Sequence, residues 1–108
     1  MITVTIDHQG EYIKAFTVKG HAGFAPEGTD IYCAGVSAVA QSALLGLLNQ
    51  VSKPPRYSMD SGVLTCELDT DMSDTDRNTA QIILTVMEDG LTAMQQTYGR
   101  YIQVIIRR

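Results

Sequence analysis

Apolar and polar residues alternate strictly from Met1 to Asp7, with Ile2, Val4 and Ile6 set against Thr3, Thr5 and Asp7. That period of two predicts a strand with one buried face. His8–Gln9–Gly10–Glu11 reads as a turn, which makes His8 an exposed loop histidine. The alternation resumes over Tyr12–Lys19, with Ile13, Ala15 and Thr17 on one side and Phe16 and Val18 on the other, so the two runs form an antiparallel hairpin. Arg56–Asp60 is a short strand, Asp60–Ser61–Gly62 a turn, and Val63–Asp69 a clearer strand that places Leu64, Cys66 and Leu68 on one face. A last strand covers Tyr101–Ile106.

Two stretches break this rhythm. Ile31–Val51 is apolar on nearly every side and contains no proline until Pro54 and Pro55, which close it after Lys53; it reads as a buried helix. Small residues (Ala34, Gly35, Ala38, Ala43, Gly46) are interspersed with bulky ones, so a neighbouring element can approach closely. A helix with so little polar surface is covered on more than one side, by the sheet and by a second helix or another subunit. From Asp74 to Tyr98, apolar residues recur at three- and four-residue steps (Ala80, Ile83, Leu84, Met87, Leu91, Met94), the stripe of an amphipathic helix. Ser73 and Asp76 have the spacing of a capping box, and Gly99 is a C-terminal cap. Met72, Met87 and Met94 read as core fillers. The element order is ββαββαβ, an α+β fold with a mostly antiparallel sheet and two helices, in a single domain over residues 1–108.

Composition narrows the function. A chain of 108 residues buries roughly two-thirds of its unfolded surface, a modest core. The net charge of −4 lacks the clustered Lys and Arg of a nucleic-acid surface and suits a basic protein partner. Ser37, Gln41, Ser42 and Asn49 interrupt the best candidate for a membrane span, so no membrane association is expected. Two cysteines and a start that runs directly into a strand point to a reduced cytoplasmic setting rather than a disulfide. Asp69, Asp71, Asp74 and Asp76 lack the glycine and closing glutamate of a calcium loop.

The chemistry concentrates in Gly20–Ser42. If Asp30 caps the first helix, Cys33 is its third residue, where free backbone N–H groups and the positive end of the dipole stabilise a thiolate. An imidazole is the usual partner for a thiol proton, and His21 lies twelve positions upstream, across a connection long enough to turn back on itself. Asp30 either orients His21 or only caps the helix. Gly23 and Gly28 are placed to hinge a lid between the two reactive residues. His21, Asp30 and Cys33 supply at most three ligands with no metal spacing, so neither metal nor cofactor is expected. Cys66, on a core strand, reads as inert packing. On the residues alone Cys33 is a nucleophile, a thiol redox sensor, or a packing group in a non-catalytic dimerisation module.

Gly20–His21–Ala22, followed by Asp30–Ile31–Tyr32–Cys33–Ala34–Gly35–Val36–Ser37, resembles the ribosomal-processing cysteine protease family of bacteria, and the similarity in length and element order extends over essentially the whole chain. The resemblance implies a catalytic pair of His21 and Cys33, with Asp30 and Ser37 in supporting positions. It also implies a homodimer and a substrate: a ribosomal protein of the large subunit, the twenty-seventh, whose N-terminal extension is removed. Between the two parts of the motif this chain has Phe24 and Pro26, where the family often carries charge.

Overall fold

The computed structural model describes residues 1–20 and 31–108. Its elements follow the expected order: β1 (Ile2–Gln9), β2 (Tyr12–Lys19), α1 (Ile31–Gln50), β3 (Arg56–Asp60), β4 (Val63–Glu67), α2 (Asp74–Tyr98) and β5 (Ile102–Arg107). The strands form one five-stranded sheet in the order β3-β4-β2-β1-β5. Every neighbouring pair is antiparallel except β1 and β5, which run parallel, Ile2 opposite Ile102. A parallel pair needs a long crossover between its strands, and here the rest of the fold provides it.

The inward residues of β1 behave as their alternation predicts: Ile2, Val4 and Ile6 are buried, as are Phe16 and Val18 of β2. Two expectations for this hairpin are corrected. Asp7 pairs with Ala15 but His8 with Ile13, so Lys14 is left without an opposite residue. This β-bulge adds one residue to β2 and turns Ile13 inward with Phe16 and Val18, away from the face of Ala15 and Thr17. His8 belongs to β1 rather than to the turn, and continues the inward alternation. Its side chain is only 8% exposed, and Nε2 donates to Glu88 Oε1 of α2 over 2.6 Å. A histidine at that phase closes the layer between sheet and helix instead of meeting solvent.

The bulge also exposes backbone groups that no strand covers, because β4 pairs with β2 only from Ala15 to Lys19. Gln81 of α2 fills the gap. Its Oε1 accepts from Ile13 N at 2.7 Å and its Nε2 donates to Ile13 O at 2.8 Å, while Leu68 N donates to Lys14 O at 2.9 Å. A side-chain amide, with one donor and one acceptor, here substitutes for a strand.

Both helices lie against this framework and against each other. Val36, Ala40, Ala43, Leu44 and Leu47 of α1 join Ala80, Leu84, Met87 and Leu91 of α2 in the core. The small residues of α1 receive side chains: a methyl group at Gly35 would press within 3.2 Å of Met94 Cε, and one at Gly46 within 3.4 Å of Ile83. By length and mean hydropathy, 1.7 over its best window, α1 could cross a bilayer. In this structure its buried residues are part of the core.

The capping box expected at Ser73–Asp76 forms in half. Ser73 Oγ accepts from Asp76 N at 3.1 Å, but the Asp76 carboxylate turns away and accepts from Ser52 N (3.1 Å) and Lys53 N (3.2 Å), in the chain that leaves α1. The end of one helix is thereby tied to the start of the other. Gly99 does cap α2, in a right-handed conformation (φ −60°) rather than the left-handed one that glycine usually supplies.

Candidate active site

Among the described residues, α1 begins at Ile31, so Cys33 falls within its first turn. That turn is held from outside by aromatic packing. The Tyr32 ring stacks on Tyr101, centroids 4.5 Å apart and planes 13° from parallel, and meets Tyr98 at 5.1 Å and 56°. Tyr98 ends α2 and Tyr101 precedes β5; Tyr101 N donates to Tyr98 O, and Tyr101 O accepts from Ile2 N, each at 2.9 Å. The start of α1, the end of α2 and the first residues of β1 are therefore one packed unit.

Cys33 opens from that unit into a groove of about 280 Å³. One wall is α1 itself. Cys33, Ser37 and Gln41 are four residues apart, so successive turns present them along the same line. The opposite wall is the β3–β4 hairpin, from Met59 to Gly62, and the floor is sheet and helix hydrocarbon: Ile2, Val18, Val36 and Leu64. The hairpin turns tightly because Ser61 (φ 49°) and Gly62 (φ 79°) are both left-handed, as a two-residue turn of this hand requires. Gly20, the last residue before the connection to α1, also lines the groove. With φ 87°, and with space for a Cβ only 2.8 Å from Met1 O, position 20 admits no side chain without movement.

The predicted residues divide accordingly. Cys33 and Ser37 come together in the groove. His21, Gly23, Gly28 and Asp30, the last also in its part as helix cap, lie outside the described residues. Cys66 is 3% exposed on β4, where burial pushes its thiol up to about 12; it stays protonated and inert, as its strand position suggests. Gln41 and the hairpin residues Met59, Asp60 and Ser61 were missed as site residues. For Gln41 the signal was present, since it continues the four-residue step from Cys33 through Ser37. The hairpin reaches the groove through sheet order, which local pattern does not specify.

A groove lined by a cysteine on a helix's first turn, apolar below and polar at the rim, suits an extended peptide presented to a thiol nucleophile. Comparison with known proteins agrees. The family model described as cysteine protease Prp matches residues 1–103. The ribosomal processing cysteine protease Prp of Bacillus subtilis is 29% identical over 107 residues, covering 96% of each chain, and that of Staphylococcus aureus strain Mu50 is 29% identical over 106 residues, covering 96% of this chain and 97% of the relative. The crystal structure of the S. aureus ribosomal processing protease Prp with a covalently linked product peptide superposes with a TM-score of 0.85 at 28% identity, covering 99% of this chain and all of the other. The same protease with a substrate peptide gives 0.82 at 28%, over the same shares. A Streptococcus mutans protein at 20% identity, with 99% and 97% covered, shares the fold at a TM-score of 0.82. The chain thus belongs to the cysteine protease Prp family and is a cysteine protease.

Proposed function

We propose that Cys33 is the nucleophile and His21 its general base, and that the enzyme removes the N-terminal extension of a ribosomal protein, the twenty-seventh of the large subunit, in the cytoplasm and as a homodimer. The observation that carries the reading is Cys33 on the first turn of α1, facing the groove. Gly20, which immediately precedes His21 in the sequence, lines that groove too. The substrate assignment is supported by the relatives, which are ribosomal processing proteases, and by the net charge of −4, which favours encounter with a basic protein.

In this mechanism His21 takes the Cys33 proton, and the sulfur adds to the scissile carbonyl carbon. The displaced electron pair rests on the carbonyl oxygen, and backbone N–H groups at the start of α1 are placed to receive it. Collapse of the adduct breaks the C–N bond, and His21 returns the proton to the leaving amine. Water, deprotonated by His21, then cleaves the thioester and regenerates the thiol. Asp30 fits as a positioning residue for His21, Ser37 lies one turn beyond Cys33 in the groove wall, and Gly23 and Gly28 would let the intervening segment close over bound peptide.

The test is incubation with the N-terminally extended ribosomal protein, reading the new N-terminus by mass spectrometry. Cys33→Ala and His21→Ala should each abolish the cut while leaving the circular-dichroism melt in place. Cleavage that survives either substitution would remove that residue from the mechanism.

A further inference from the structure

The groove extends well beyond the reacting sulfur, and its far end carries a group the cleavage chemistry leaves unused. Gln41 lies eight residues after Cys33 on the same face of α1, about 12 Å along the axis at ~1.5 Å per residue. An extended peptide rises about 3.3 Å per residue, so that span corresponds to three or four substrate residues on one side of the scissile bond. The same groove is also lined by hydrocarbon: Val18, Val36, Leu64 and Met59, the last more than half exposed. Gln41 is exposed at the rim and plays no part in the buried core of α1.

Resting on the assignment of Cys33 as nucleophile, we propose that Gln41 is the anchor for the substrate main chain, its side-chain amide holding one peptide unit three to four residues from the scissile bond while an apolar substrate side chain seats on the Val18–Leu64 floor. A primary amide suits this task because one donor and one acceptor match one peptide unit. The same pairing already operates elsewhere in this molecule, where Gln81 holds Ile13 by both N–H and C=O. Specificity then has two parts: an apolar side chain in the groove, and a minimum length of chain beyond it.

The experiment measures kcat and KM for the wild type and Gln41→Leu on peptides shortened one residue at a time from each end. Position 41 is exposed, so leucine preserves the helix; a circular-dichroism melt and the rate of Cys33 alkylation, both unchanged, verify that fold and nucleophile are intact. With full-length peptide, KM should rise about tenfold and kcat stay within about twofold, the loss of a pair of binding hydrogen bonds shared by ground and transition states. In one of the two truncation series, the gap between variant and wild type should vanish once fewer than three residues remain on that side. Equal KM at every length, or a deficit that persists in the shortest peptides of both series, would overturn the proposal. Cleavage by Cys33→Ala on the same peptides would instead overturn the nucleophile, and the length dependence of Gln41→Leu would still report on the anchor.

Discussion

Asp76 is the buried charged residue among the described residues, 8% exposed, and its carboxylate accepts backbone N–H groups from Ser52 and Lys53. Asp76→Ala would strand those two donors and should lower unfolding free energy by about 2–3 kcal/mol in urea titration, with Asp76→Asn showing a smaller loss because one acceptor oxygen remains. Cys66 gives a second residue-scale prediction. Burial raises its thiol pKa to about 12, from an unfolded value near 8.5. The raised folded value means its contribution is fully present below about pH 8.5 and is lost as pH rises toward 12, so the midpoint of urea unfolding should fall through that window in the wild type and fall less in Cys66→Ala. For the same reason iodoacetamide near pH 7.5 should label Cys33 and reach Cys66 only in denaturant, as mass spectrometry of the digest would show.

At the scale of elements, the tyrosine stack couples the turn that carries Cys33 to the rest of the fold. Tyr101→Ala removes the ring that lies flat against Tyr32. It should cost about 1–2 kcal/mol of stability and slow peptide cleavage by about tenfold, mostly in kcat, whereas Tyr101→Phe keeps the ring and should retain the stability that the stack supplies. The element boundaries themselves were legible, because periodicity of two or of 3.6 is written in the order of apolar residues: α2 occupies the span its stripe predicts, and β2 the span of its alternation. The bulge at Lys14 was not legible, since one inserted residue leaves no mark in composition yet inverts the phase of everything before it. His8 was misjudged because turn residues beside it outweighed its inward phase. Of the groove's lining, Cys33 and Ser37 could be singled out from helix position and motif, while Met59–Ser61 could not, because a hairpin distant in sequence joins the groove only through the pairing of β4 with β2.

For the molecule as a whole, the parallel pairing of β5 with β1 joins the two ends of the chain. It is fastened by Asp7, whose Oδ1 accepts from Arg107 Nε at 2.5 Å; that guanidinium holds the Asp7 carboxyl below its ordinary range. A lowered folded value stabilises the protein above the unfolded carboxylate range, near pH 4, and the benefit is lost as pH falls through the folded value. Arg107→Ala should therefore lower stability at neutral pH and above, and make least difference below the folded value, where Asp7 is protonated in both proteins, as urea titrations at pH 7 and pH 3 would reveal. The same pairing constrains synthesis: a nascent polypeptide can close its first hairpin early, yet the outer margin of β1 stays bare until Ile102–Arg107 leave the exit tunnel. A product released just short of them would carry an adhesive strand margin and the unmet cavity of Ile102, and its fate would be precipitation rather than catalysis.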